Sequence, residues 1–173
     1  RQNKDNENSK YYEINLNRIT KSNKPTLAWS HKTMESGDNI KKWKRLTETS
    51  PVFFKVKIIY LTPDLRIITL NAATGDVIWE KELLHFPSIR GFLVEEDLNG
   101  NENLYLPVGT SIYKINAKNG KLIKNFGNNG SVNSKTIFSP FIYKNNLIVV
   151  SPNIVGVFNK QSGKKIFHVK IFA

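Results

Sequence analysis

The stretch Asp97-Leu98-Asn99-Gly100-Asn101-Glu102-Asn103 carries oxygen-bearing side chains at alternate positions, the pattern of a loop that rings a calcium ion. Such a loop closes on an acid further along, and here Tyr105 and Leu106 follow instead. A hairpin turn also explains Asn99-Gly100, because glycine accepts positive φ without strain. Calcium at 97–103 and a plain turn therefore stand side by side. The histidines His31, His85 and His168 lie in unlike contexts, without metal-ligand spacing. There is no cysteine, so disulfides and thiolate metal sites are excluded. The sequence contains no G-x-S-x-G, no H-E-x-x-H and no phosphate-cradling glycine cluster. Spacing alone nominates no catalytic residue and no metal ligand.

Charge narrows the partners. Twenty-six Lys and Arg against 14 Asp and Glu give a net charge of +12, which would suit nucleic acid or an anionic surface. The lysines are scattered, however, as in Lys55, Lys57, Lys118, Lys121, Lys144 and Lys160, and no groove-reading motif accompanies them. No nucleic-acid partner is expected. A hydrophobic content of 39% suits a globular chain, and no apolar run approaches the roughly 20 residues of a membrane-spanning helix.

A repeated phrase shows what must position any site. Thr69-Leu70-Asn71-Ala72-Ala73-Thr74-Gly75 returns as Lys114-Ile115-Asn116-Ala117-Lys118-Asn119-Gly120 and as Val157-Phe158-Asn159-Lys160-Gln161-Ser162-Gly163. The glycines are 45 and 43 residues apart, a period typical of stacked supersecondary units. Short β-branched and aromatic runs flank each phrase, at 58–61, 66–70 and 77–79, at 104–106, 112–115 and 122–123, and at 147–150, 154–158 and 166–169. Ser50-Pro51 and Ser139-Pro140 introduce a further strand, near Val52 and Phe141, with Phe92 in the matching place between them. Each unit thus reads as four antiparallel strands, and the phrase as the tight turn joining the third to the fourth. Trp79 is placed to pack on the neighbouring unit; Lys124 and Phe167 occupy its place in the later copies, so weaker docking is expected of the second.

The phrases resemble the repeat of the pyrroloquinoline-quinone (PQQ) dehydrogenase family, A-x-D-x-x-T-G-x-x-x-W. The first copy departs from it only by Thr69 for Ala and Asn71 for Asp. Residues 19–33, with Leu27-Ala28-Trp29-Ser30-His31, are similar to the family's opening segment, which supplies an outer strand to the closing blade. Phe126-Gly127-Asn128-Asn129-Gly130 is similar to the F-G-x-N-G of glucose-dehydrogenase-like members. The resemblance implies an all-β propeller of the quinoprotein type, mostly periplasmic, with PQQ and calcium in a central funnel. About three four-stranded blades are expected, plus an N-terminal strand, in an incomplete ring. Residues 1–10 read as a disordered tail, 11–46 as the lead-in segment with its outer strand, and 47–173 as three repeats near 47–84, 88–127 and 136–172.

By the same resemblance Glu48, before Thr49-Ser50-Pro51, and Arg90, before Gly91-Phe92, match the family's quinone-contacting acid and arginine. The alternative is an exposed Glu48 at a strand start and an Arg90 paired with Glu95 or Glu96. The family's calcium-binding glutamate has no counterpart in Ser151-Pro152-Asn153-Ile154-Val155-Gly156. These 173 residues alone are therefore not expected to bind PQQ or calcium. The implied function is the N-terminal part of a dehydrogenase-like propeller that oxidises a sugar or alcohol when complete. The alternative is a non-catalytic scaffold that binds protein partners, similar to the outer-membrane assembly lipoprotein. An open wedge of three blades is also expected to self-associate through its open edges.

Overall fold

Successive side chains of a strand point to opposite faces, so strands apolar at nearly every position must be covered on both sides. The computed structural model meets that demand by stacking sheets. It describes residues 27–32, 49–134, 136 and 138–170. The tail 1–10, Glu48 and most of the segment 11–46, with its expected outer strand, lie outside the described residues. The chain divides into two units, Arg1–Ser30 and His31–Ala173, and all the sheets belong to the second.

The first sheet holds β1 (Val52–Phe54), β2 (Lys57–Leu61), β3 (Arg66–Asn71) and β4 (Val77–Glu82). The second holds β5 (Leu93–Glu96), β6 (Glu102–Val108), β7 (Ser111–Asn116) and β8 (Ser131–Asn133). The third holds β9 (Phe141–Tyr143), β10 (Asn146–Ser151), β11 (Ile154–Asn159) and β12 (Lys165–Lys170). In each, strands pair antiparallel in chain order, and no helix occurs among the described residues.

The repeated phrase is the corner it was expected to be. Asn71 Oδ1 accepts the Ala73 N–H at 2.8 Å, Asn116 Oδ1 that of Lys118 at 2.8 Å, and Asn159 Oδ1 that of Gln161 at 3.0 Å. Gly75, Gly120 and Gly163 follow at φ of 78°, 72° and 71°. The fourth strand of the second unit is a correction. Leu122 makes only an isolated bridge to Ile115, and the strand that pairs with β7 is Ser131–Asn133. The cause is the Phe126–Gly130 segment, which loops out and returns, with the Lys114 N–H donating to Gly130 O at 2.9 Å.

Two apolar layers lie between the sheets. Ile59, Leu61, Ile67 and Trp79 of the first sheet meet Leu104, Leu106, Val108 and Ile115 of the second. Tyr105, Ile112, Phe126 and Val132 on the second sheet's other face meet Leu147, Val149 and Phe158 of the third. The middle sheet is covered on both faces, and every residue of β6 is buried.

Each layer carries an ion pair, buried in the first and half-buried in the second. Glu102 accepts from Lys57 Nζ at 2.7 Å and lies 3.3 Å from Lys55 Nζ. Lys160 Nζ donates to Glu95 at 2.8 Å. Beside it the Tyr105 hydroxyl sits 2.9 Å from Lys160 O and 3.1 Å from Glu95 Oε1. Lys114 Nζ donates to the same carbonyl at 2.9 Å, over the rings of Tyr105 and Phe126. Burial lowers the Lys114 pKa, with Glu95 and Asp97 opposing.

The second sheet docks on the third through other residues than the one aligned with Trp79, in a smaller apolar layer than the first. Lys124 is exposed and takes no part, while Phe126 is fully buried. Next to it the Gly127 N–H donates to Ser162 O at 2.8 Å. A Cβ on Gly163 would stand 2.6 Å from Gly127 N. Gly163→Ala is thus expected to cost about 2–4 kcal/mol, from the left-handed backbone and the backbone clash together. Urea denaturation measures this, and an unchanged midpoint would show that the third corner does not bear on the second sheet.

Candidate functional site

The segments leading into the first strand of each sheet converge. The Thr49 hydroxyl donates to Ser88 O at 3.2 Å, and Ser88 Oγ accepts the Arg90 N–H at 3.2 Å. Arg90 in turn forms a parallel bridge with Phe138. Thr49 and Phe138 each precede a Ser-Pro pair, so equivalent points of the first and third units are tied to the segment 88–90 of the second. Gly91 makes the approach possible: its φ is 114°, and a Cβ there would lie 3.5 Å from Ser139 Cβ.

Arg90 is exposed, and its guanidinium lies 5.1 Å from the centre of the Phe138 ring. A cation over a ring at an exposed site gains about 0.5–1 kcal/mol, enough to bias the side chain toward one plane. The alternative pairing does not form, because Glu95 pairs with Lys160 and Glu96 with Lys55. Among the described residues no acid lies within ion-pair reach of Arg90. A planar guanidinium in this state suits a carboxylate or an anionic oxygen, which its paired N–H groups can hold bidentately. Glu48 lies outside the described residues, so the structure does not bring the two expected residues together. Phe138 was missed in the sequence, although the shared Ser-Pro signal marks its position.

The 97–103 stretch is a turn that satisfies itself. Asp97 Oδ1 accepts the N–H groups of Asn99 and Asn101, both at 2.9 Å, and Asn101 Nδ2 reaches Oδ2 at 3.0 Å. These bonds, with the Asn101 side chain first, hold the Asp97 carboxyl below its ordinary range. Glu102 points away from it, into the Lys57 pair. Among the described residues no group of three or more His, Cys, Asp or Glu could hold a metal ion. No helix among them is long and apolar enough to cross a membrane.

Four-stranded antiparallel sheets packed face to face, with their first strands gathered at one end, are blades of a β-propeller. This chain belongs to the PQQ propeller family: the family described as "Glucose/ethanol/alcohol dehydrogenase, beta-propeller domain" matches residues 1–168. No curated protein matches the chain in sequence. Among solved structures it is similar to BamB from Moraxella catarrhalis, at 13% identity and a TM-score of 0.52, covering 67% of this chain and 34% of that one. It is also similar to the quinohemoprotein alcohol dehydrogenase from Comamonas testosteroni, at 12% and 0.56, covering 73% and 21%. A europium-containing methanol dehydrogenase matches at 13% and 0.57, covering 86% and 27%. The chain spans about a third or less of the length of each. Such likenesses carry the fold alone.

Proposed function

We propose that this chain supplies three blades, the N-terminal part, of a quinoprotein-type dehydrogenase that oxidises a sugar or an alcohol once its ring is complete. The observation that carries this reading is Arg90: an exposed guanidinium three residues before β5, laid on Phe138, with no described acid to neutralise it. PQQ, when bound, would supply the two-electron acceptor. Arg90 would hold its oxygens and carboxylate and stabilise the negative charge that grows there. Phe138 fixes the plane of the guanidinium, and Ser88 fixes the Arg90 backbone through the 3.2 Å bond. Glu48 is proposed as the second contact to the quinone.

Among the described residues no group of three or more His, Cys, Asp or Glu could hold calcium, and residues outside them are proposed to supply its ligands. Periplasmic location goes with this reading. Self-association through the open blades is proposed for the 173 residues by themselves.

A scaffold that binds protein partners is the second reading, favoured by the missing calcium acid in Ser151-Pro152-Asn153-Ile154. The test uses the full-length protein with PQQ and calcium. Thermal stabilisation and dye-linked oxidation of glucose or an alcohol are expected. Arg90→Ala is expected to lower kcat/KM about 100-fold, the scale of losing one oxyanion donor. Folded full-length protein showing neither quinone absorbance nor stabilisation would leave the scaffold reading in possession.

A further inference from the structure

Lysines that lie scattered along the chain are gathered by the fold. Each sheet is a meander, so the turn between its first and second strands shares an end with the corner between its third and fourth. Backbone bonds join the two. The Ala72 N–H donates to Val56 O at 2.9 Å, the Ala117 N–H to Glu102 O at 2.9 Å, and the Lys160 N–H to Asn145 O at 3.0 Å. Between sheets, Lys55 pairs with Glu96 at 2.8 Å and the Gly127 N–H reaches Ser162 O at this same end. The segments that lead into each sheet, Arg90 among them, lie at the other end, because β5 runs away from Arg90 to the turn at 97–101.

From residue 103 onward the chain has ten Lys and no Asp, Glu or Arg. The corner glycine is followed by Asp76 in the first unit, but by Lys121 and Lys164 in the second and third. These two lysines, with Lys118 and Lys144, are exposed at this end, and none of the four is in an ion pair. The carboxylates nearby are engaged. Asp76 accepts from the Thr74 hydroxyl at 2.6 Å, Asp97 from the N–H groups of Asn99 and Asn101, and Glu96 from Lys55. Two apolar side chains crown the same end: Val56 and Leu98 are exposed, Leu98 fully, at the tips of the first turns of the first and second sheets. The bonds to Asp97 fix the second turn, so Leu98 is held outward with little left to order on binding. A lone exposed leucine is ordinary. At a fixed tip beside four unpaired lysines it supplies the apolar anchor and the basic patch that peripheral membrane binding combines.

We propose that this end of the sheets is a docking surface for an anionic lipid bilayer. Leu98 and Val56 enter the headgroup layer, and Lys118, Lys121, Lys144 and Lys164 meet the lipid phosphates. Separate apolar tips suit a fluid interface that closes round each of them, whereas a protein partner requires a continuous packed patch. Each lysine held near such a surface strengthens binding about fivefold. Arg90, at the opposite end, stays clear of the bilayer, and the inference does not rest on Arg90 or on a quinone.

The probe is a vesicle of phosphatidylcholine with about 30% phosphatidylglycerol, against pure phosphatidylcholine as the neutral control. Co-sedimentation of the folded chain with the first and not the second is expected, weakening as salt rises. Replacing the lysines together, by Lys118→Gln, Lys121→Gln, Lys164→Gln and Lys144→Asn, is expected to weaken binding about a hundredfold. Asn suits position 144, where φ is 55°. Leu98→Ser is expected to weaken it about tenfold. Orientation is read separately, since the chain has no cysteine of its own. An environment-sensitive dye on Leu98→Cys is expected to brighten with anionic vesicles, and the same dye on Leu84→Cys, exposed just after β4 at the other end, is not. No sedimentation, equal brightening at both positions, or binding unchanged by Leu98→Ser would overturn the proposal. Tighter binding to a single-stranded oligonucleotide at the same salt would overturn it in favour of nucleic acid.

Discussion

Trp79→Ala is expected to lower the unfolding free energy by about 3–5 kcal/mol, the range for deleting a buried aromatic. Trp79 is 9% exposed, and its Nε1–H donates to Ala117 O at 3.0 Å across the layer between the first two sheets. The ring rests on the second corner so closely that a Cβ on Gly120 would meet Trp79 Cε3 at 2.7 Å. Alanine removes the apolar area and the hydrogen bond and leaves a void against glycine, which has no side chain to fill it. Trp79→Phe keeps much of the area and strands the Ala117 carbonyl, so it should cost about 1–3 kcal/mol. Urea denaturation of both variants makes the comparison. A loss below about 1 kcal/mol for the alanine variant would mean that the sheets are not held together at this corner.

Glu102→Gln is expected to cost about 3 kcal/mol at neutral pH, because it leaves the buried Lys57 charge without its partner. Burial by itself would raise the Glu102 pKa. Hydrogen bonds and charge from Lys57 and then Lys55 outweigh burial and hold it below the ordinary value of 4.5. The sign follows from linkage. Stability from this group is fully present above the unfolded value, and it is lost as pH falls through the lower folded one. The native protein should therefore lose stability on acidification below about pH 4.5, and Glu102→Gln should flatten that limb. The double variant Lys57→Met with Glu102→Leu should recover most of the loss, since an apolar pair needs no compensation. Parallel acid limbs for native protein and Glu102→Gln would show that the pair does not control the transition.

Turn chemistry was legible because it is local. An Asn whose side chain caps the next amides, followed four residues on by a glycine at positive φ, announces the corner wherever it stands. Three such corners at a near-constant period gave the four-stranded units and their stacking. What escaped were the decisions made between units. Leu122 and Ile123 read as a strand by composition, yet β7 takes its partner from Ser131–Asn133, beyond a loop whose extra length no local pattern reveals. Phe126 and Gly127, not the residue aligned with Trp79, dock the second sheet on the third. Glu102 looked like a member of an oxygen-rich loop, and only the approach of the first sheet draws it into the Lys57 pair.

The site was legible to a smaller degree. Arg90 stood out by likeness to a motif, and its place just before the first strand of the second unit follows from the units. Its stacking on Phe138 depends on a bridge between segments 48 residues apart, which no window of sequence contains.

The corners also bear on how such a chain can change over generations. Trp79 belongs to one unit and Gly120 to the next, and Gly127 and Gly163 divide in the same way. Plug and socket are thus inherited from neighbouring segments of the gene. Loss or duplication of a whole period keeps every plug facing a socket, whereas a break inside a period separates them. Recombination that respects the period is tolerated, and that which ignores it is not.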